Sequence, residues 1–272
     1  PMYLTNTDGV NGYYGSFTAQ LQKDFNFGLS LMAAYTYSKS MTISDGIGDQ
    51  VTSAYRTMNY SKNGSNTPEL GYSSYVSPNR FIASVSYRIP QGRKGATTLG
   101  LFYEGYNHCY FAGLYSYTRH SYVMNNVTND GGANIPIYIP TDEQLAEMPF
   151  VSEENKAAFG EFIANDKYLS RHRGEYSKRG AVVAPWQSRF SFKFAQDINF
   201  DVCGKTNTFQ IGLDIYNLAN LLNPDWGQTD NLSNDRVLTY YGGVYEYTPI
   251  ETTKLNTVYS TWNMMVTLKY FF

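Results

Sequence analysis

Apolar and polar residues alternate with a period of two along seven stretches of this chain, and little else in it is periodic. In the last stretch, Trp262, Met264, Val266, Leu268, Tyr270 and Phe272 fall on one face of an extended strand and Thr261, Asn263, Met265, Thr267, Lys269 and Phe271 on the other. The same alternation predicts strands near residues 13–25, 29–40, 78–90, 97–117, 186–200, 208–217 and 258–272. A soluble sandwich strand alternates in the same way, so a single stretch does not decide between water and lipid on the apolar side. Lys23 is an exception on the apolar side of the first strand, near its end, where its stem can lie along the surface and carry the charge to polar headgroups.

The connections decide. Short Gly-containing turns at Asn26-Phe27-Gly28, Gln91-Gly92-Arg93-Lys94-Gly95 and within Asp201 to Asn207 alternate with long connections over 41–77, 118–185 and 218–257. All long connections therefore emerge at one end of the strands. That is expected of an outer-membrane barrel, with short periplasmic turns and long extracellular loops. The expected fold is all-β: an antiparallel transmembrane β-barrel whose long extracellular loops carry short helices, with the C-terminus in the periplasm. Thr141 ahead of Asp142-Glu143-Gln144 is a capping-box pattern for one helix, and Ser152 ahead of Glu153 and Glu154 caps a second. Seven strands do not close a bacterial barrel, so the stretch is expected to be the C-terminal part of a larger one, or to close against another chain.

Composition agrees with this. Aromatic residues make up 17% of the chain, with 26 Tyr, against 16% charged residues. Such rings suit strands and membrane interfaces. No apolar run reaches the ~18 residues of a transmembrane helix, and the negative mean hydropathy is compatible with a barrel whose strands are half polar. A net charge of −2 argues against a nucleic-acid partner. Cys109 and Cys203 fit no metal or redox spacing, fall roughly 30 Å apart at the strand rise, and are expected to form no disulfide. An export signal is expected to lie outside this stretch.

The stretch Tyr216-Asn217-Leu218-Ala219-Asn220-Leu221-Leu222-Asn223-Pro224-Asp225-Trp226-Gly227 resembles the Asn-Leu-x-Asn-x-x-Asn-x-x-Trp-Gly signature of TonB-dependent outer-membrane receptors of the Oar-like, Bacteroidetes type. Tyr168-Leu169-Ser170, Arg173-Gly174, Arg179-Gly180 and Ala184-Pro185-Trp186 look like the loop into a late strand of those proteins, and Gln196-Asp197-Ile198 resembles the Gln-Asp-Phe that ends it. The resemblance implies a barrel of about 22 strands with a plugged lumen. It also implies import of a bulky nutrient such as a glycan, peptide or metal chelate. TonB, ExbB and ExbD, a plug domain and a possible surface lipoprotein are the implied partners. Neither the plug nor a TonB-contacting segment is in this stretch. The alternative is a loop-rich barrel acting as adhesin or passive pore.

Candidate chemistry is sparse, and no enzyme, cofactor or metal site is expected. His108, His120 and His172 do not cluster by spacing, and Asp45 with Asp49 fits a polar turn better than a calcium loop. Asn63-Gly-Ser65 and Asn126-Val-Thr128 match glycosylation acceptors only as a common pattern. Arg80, Arg88, Glu104, Arg189, Lys193, Asp214 and Lys269 fall on the water side of their strands and are the candidates for contact with a plug or a passing substrate. Their other reading is ordinary solvation of the wall. The basic run Arg171, His172, Arg173, Lys178 and Arg179 would meet lipopolysaccharide or an acidic substrate, or else pair internally. Tyr55, Tyr60, Tyr72 and Tyr75 are loop aromatics that would stack on a ligand ring or pack loops together. Tyr270 and Phe272 resemble the terminal aromatic signal read by the barrel-assembly machinery, and would equally sit in an aromatic girdle against the outer-membrane lipid.

Overall fold

The computed structural model describes residues 11–45, 60–63, 67, 69–111, 115–125, 134–255, 258 and 260–272. Its main element is an antiparallel meander of seven strands hydrogen-bonded in chain order. They are β1 (Tyr13–Asp24), β2 (Leu29–Thr42), β3 (Asn79–Pro90), β4 (Gly95–Asn107), β5 (Trp186–Val202), β6 (Lys205–Tyr216) and β7 (Asn263–Phe271). A two-residue strand, Gly71–Tyr72, adds to the end of β2.

The register puts like with like. Thr18 lies opposite Thr36, Thr36 opposite Arg80, Arg88 opposite Thr98, Lys193 opposite both Gly100 and Asp214, and Gln210 opposite Lys269. Because side chains alternate faces and the pairs are in step, every polar set lands on one face and every apolar set on the other. On the apolar face Leu21, Val85 and Val266 are 79%, 46% and 66% exposed. A patch of this kind spanning seven strands is not left to water by an ordinary soluble domain. Rings stand at both ends of this face and, at Phe192 and Phe194, in its middle rows as well. Tyr35, Phe81, Tyr103 and Phe190 lie toward the long connections and Tyr87, Phe200 and Tyr270 toward the turns, with Ala83, Val85, Leu101, Leu213 and Val266 between. Nine residues of β3, from Phe81 to Ile89, span roughly 20–25 Å at the usual rise and barrel tilt, the height of a lipid-facing band. Lys23 stands at the turn end of this face with its Nζ 5.7 Å from the Phe25 ring. Among the described residues β1 and β7 have no partner on their outer sides, so the sheet is open.

The turns are tight. Gly28 adopts φ +94, and a Cβ there would lie 2.3 Å from the Arg88 carbonyl oxygen. β5 and β6 run further than the alternation indicates and leave a two-residue turn, Cys203-Gly204, with φ +51 and +79, the pattern of a type I′ hairpin.

Two strand boundaries are corrected. The fourth strand, expected to reach Tyr117, ends at Asn107. There Asn107 N donates to Ser77 Oγ, its Nδ2 to the Ala184 carbonyl, and His108 N to the Pro185 carbonyl, so the backbone leaves the ladder. Cys109–Phe111 and Tyr115–Tyr117 then join Thr229–Leu232 and Thr252–Leu255 in a separate sheet. The last strand begins at Asn263 rather than near 258, because Asn220 Oδ1 accepts from Trp262 N and Asn217 Nδ2 donates to the Ser260 carbonyl, holding the approach out of the sheet.

The second and third long connections fold into a cap with its own core. α1 (Asp142–Glu147) starts on a complete capping box at Thr141, and α2 (Glu153–Asn165) on Ser152, whose side chain accepts from Asn155 N. Phe159, Ile163, Ile137, Ile139 and Leu169 from the second connection are fully buried with Val237 and Leu238 from the third. Each such side chain stabilises by about 1.5–3 kcal/mol. Val123–Asn125 pairs in parallel with Arg236–Tyr241, which joins the two connections through backbone as well.

The first connection is tied in by a buried ion pair. Arg179 Nη1 lies 3.1 Å from Asp45 Oδ2, with side chains 4% and 5% exposed, and Arg179 also donates to the Thr42 carbonyl. Asp45 accepts from Ser74 N and Oγ at 2.9 and 2.8 Å. Asp49 and Tyr55 lie outside the described residues. Removing one partner of such a pair strands the other charge in a dry site, so Arg179→Ala is expected to cost the cap about 3–5 kcal/mol. Hydrogen exchange at Tyr72 and Ser74 checks this: their amides should lose protection while those of β5 and β6 keep it.

Candidate functional site

The polar face of the sheet is concave. β3 to β7 and the residues just before β7 line an open cavity of about 740 Å³, with Glu104, Arg189, Lys193, Asp214 and Tyr216 among its walls. Alternation within each strand aims these side chains inward, and the antiparallel register brings them side by side.

The structure brings most of the sequence-predicted charges together in pairs. Arg80 Nη2 meets Glu104 Oε1 at 2.6 Å, and Lys193 Nζ is 4.0 Å from Asp214 Oδ1. Arg88 reaches Asp197 Oδ2 at 3.0 Å, and Asp197 accepts from Gln210 Nε2 at 2.7 Å. Asp197, noted only for the Gln196-Asp197-Ile198 match, and Gln210 were not among the candidate inner-face contacts. Their signal was there: each occupies the polar register of its strand, two same-face positions nearer the turn than Lys193 and Asp214. Arg189 Nη2 donates to Thr229 Oγ1 at 3.3 Å, which anchors it to the third connection. Lys269 has no ion-pair partner among the described residues.

Exposed pairs of this kind stabilise by at most about 1 kcal/mol, and their partners exchange readily with water or a neighbouring polar surface. Chemically the face can therefore hold a hydrophilic body of mixed charge and present it with alternating donors and acceptors. Among the described residues no three His, Cys, Asp or Glu side chains are grouped as metal ligands.

The signature residues do something different. Asn217 ends β6 in the left-handed region, φ +54, and opens the five-residue helix α3 (Leu218–Leu222). Its Nδ2 donates to the carbonyls of Gly227, at 3.1 Å, and Ser260, at 2.8 Å. Asn220 Nδ2 donates to the carbonyls of Pro224 and Trp226, at 2.8 and 3.0 Å. Asn223 Oδ1 accepts from Asp225 N, closing the turn that presents an exposed Trp226. These side chains staple the departure from β6 to the arrival at β7. At the other end of β7, Tyr270 OH donates to Asn207 Oδ1 at 2.7 Å, and its ring stacks on Phe200 and Phe272. They form part of the aromatic belt at the turn end.

The remaining loop candidates serve the cap. Arg173 pairs with Asp142 at 3.0 Å, Arg179 with Asp45, and His172 Nδ1 lies 2.8 Å from the Tyr168 carbonyl, so most of the basic run is paired internally. Tyr60 OH donates to Asp235, Arg119 lies 4.3 Å over the Tyr72 ring, and Tyr75 packs near Tyr117. Burial raises the Asp235 carboxyl above its ordinary range and lowers Arg179 below its own, the latter opposed by Asp45. His108, His120 and His172 occupy separate surroundings, against Ser116, Tyr122 and Tyr168.

The staple leaves no room for a larger residue at its centre. Gly227 has φ +64, and a Cβ there would lie 2.0 Å from Asn217 Oδ1. Gly227→Ala is expected to destabilise the third connection by about 1–3 kcal/mol through strain and lost hydrogen bonds. Asn217→Gly keeps the left-handed backbone and should lose only the hydrogen bonds, giving the smaller effect in a thermal unfolding series followed by gel mobility.

Comparison with known proteins agrees with this architecture. No curated protein and no solved structure matches the chain. Residues 2–239 match the model of a family described as an outer membrane beta barrel domain, which takes in β1 to β6 and most of the cap. A sheet with one lipid-suited face and one hydrophilic face suits a barrel wall, and the chain belongs to the outer membrane beta barrel domain family.

Proposed function

We propose that this barrel wall belongs to a TonB-dependent importer of a bulky nutrient, such as a glycan, peptide or metal chelate. The observation that carries the reading is the inner face, where three ion pairs and a 740 Å³ concavity offer exchangeable charges to a plug or a passing solute. The signature around Asn217, Asn220 and Gly227 supports it, since its hydrogen bonds hold the last long connection over that face. On this reading the open outer edges of β1 and β7 pair with further strands of a wall of about 22, and the lumen holds a plug that TonB, ExbB and ExbD act upon. The chain transports and does not catalyse. Tyr270 and Phe272 present the assembly machinery with its aromatic signal, lipopolysaccharide surrounds the apolar face, and a surface lipoprotein is a further partner at the cap.

Deletion of the gene in its host should abolish growth on one member of a panel of glycans, peptides and metal chelates, and deletion of TonB should do the same. Uptake that persists without TonB would replace energised import with a passive pore, and wild-type growth on the whole panel would leave the adhesin reading.

Orientation is testable through the two thiols. Cys109 is buried, which together with the nearby Asp230 pushes its thiol up to about 12, so it stays an unreactive thiol; Cys203 is exposed in the β5–β6 turn. A maleimide on a bulky polyethylene glycol should therefore label only Cys203, and only after the outer membrane is permeabilised. Labelling of Cys203 on intact cells would put the short turns outside and invert the topology.

A further inference from the structure

A second concavity lies on the cap, away from the inner face of the sheet. α2 and the segment 247–249 flank a shallow, open groove of about 570 Å³ lined by Ala158, Glu161, Phe162, Asp166, Tyr247 and Pro249, together with two asparagines of the helix. Phe162 and Tyr247 stack on each other within it, centroids 5.3 Å apart and planes at 29°. The groove is held in shape. Asn155 Nδ2 donates to the Tyr247 carbonyl at 2.9 Å and its Oδ1 accepts from Tyr247 N at 2.8 Å, which locks the strand end onto the helix. Asp166 Oδ1 accepts from the backbone N–H of Tyr168 and of Leu169, each at 2.8 Å, and Oδ2 accepts from Tyr122 OH at 2.7 Å.

These donors to Asp166 are neutral, so they orient and stabilise the carboxylate without cancelling its net charge, and Lys167 beside it is exposed and outside the groove lining. Among the described residues neither Glu161 nor Asp166 is in an ion pair. The one lysine of α2, Lys156, is engaged by Glu153 at 3.2 Å and by the Ala146 carbonyl at 3.2 Å. Glu161 stands in the C-terminal half of the 13-residue helix and Asp166 caps its end; no basic residue lies in the last turn, and the helix dipole adds further negative potential there. Two aromatic rings, apolar flanks at Ala158 and Pro249, and an uncancelled negative end are together complementary to a cation carried on an apolar stem. A hydrated metal ion would waste the rings, and an anion would meet two carboxylates.

We infer that this groove binds the ammonium or guanidinium head of a Lys or Arg side chain presented by a basic peptide outside the cell. The stem lies along Ala158, Phe162 and Pro249, and the head sits between Glu161, Asp166 and the ring pair. The site is separate from the inner face of the sheet, and its occupancy does not depend on TonB or on import.

The test is calorimetric titration of the purified protein in detergent with a blocked pentapeptide of alternating Gly and Lys, and with the same peptide carrying Gln for Lys. The Lys peptide should bind, with an affinity that falls as salt rises, and the Gln peptide at least roughly tenfold more weakly. Glu161 is exposed and makes no ion pair, so Glu161→Gln keeps the fold; it should weaken the Lys peptide by roughly five- to tenfold. Glu147→Gln, an exposed carboxylate at the end of α1 outside the groove lining, should leave binding unchanged. Equal binding of the two peptides, indifference to Glu161→Gln, or equal competition by neutral maltohexaose would overturn the proposal. Failure of the import reading would leave these outcomes untouched, because no energy source enters the titration.

Discussion

The in-step pairing of seven alternating strands is the constraint on which everything else rests. A strand has a side-chain period of two, so a slip of one residue between any two neighbours would carry a whole polar set to the apolar face. In this sheet such a slip at β5–β6 would turn either Arg189 and Lys193 or Asp214 outward, into a band where a charge near the membrane centre costs about 2–4 kcal/mol. The short turns guard the register. A two-residue Cys203-Gly204 turn admits one pairing of β5 with β6, and the left-handed Gly28 pressed against the Arg88 carbonyl admits little else between β2 and β3.

With the register held, charge becomes usable on the inner face at little cost. Arg80 with Glu104, Arg88 with Asp197 and Lys193 with Asp214 are partly exposed pairs, weakly worth forming and cheap to exchange. The cap depends on a different kind of electrostatics. Arg179 and Asp45 are shut away from water, so the pair sets which loop meets which and is costly to break from one side. Water access separates the two uses of the same residue types. The inner face keeps its charges wet and replaceable, whereas the rim buries one pair to hold the first connection to the second.

The signature stretch shows how a motif can be legible and its role hidden. Asn217, Asn220 and Gly227 were identifiable by spacing, but their work is to satisfy the carbonyls of Gly227, Ser260, Pro224 and Trp226 where the chain leaves one strand and returns to the next. Ser260 lies 43 residues from Asn217, and no local pattern announces such a partner. The fourth strand is the converse case. Alternation continues past Asn107, yet the apolar positions at Cys109 and beyond face a cap core with Ala184 and Leu232 instead of lipid. Period two records that one side is apolar and is silent on what covers it.

What the sequence by itself determined is the set of local, repeating properties: which residues share a strand face, where the short turns fall, and that Thr141 and Ser152 begin helices. These depend on neighbours within a few positions, and the alternation and caps express them directly. Tertiary structure decided which inner-face charges pair, that Arg173 and Arg179 of the basic run turn inward to Asp142 and Asp45, and that the long connections form one packed cap. It also decided that Glu161 and Asp166 share a groove with Phe162 and Tyr247. Those outcomes rest on contacts between residues tens to more than a hundred positions apart, where the free energy comes from burial and charge pairing that exists only once the sheet has set the distances.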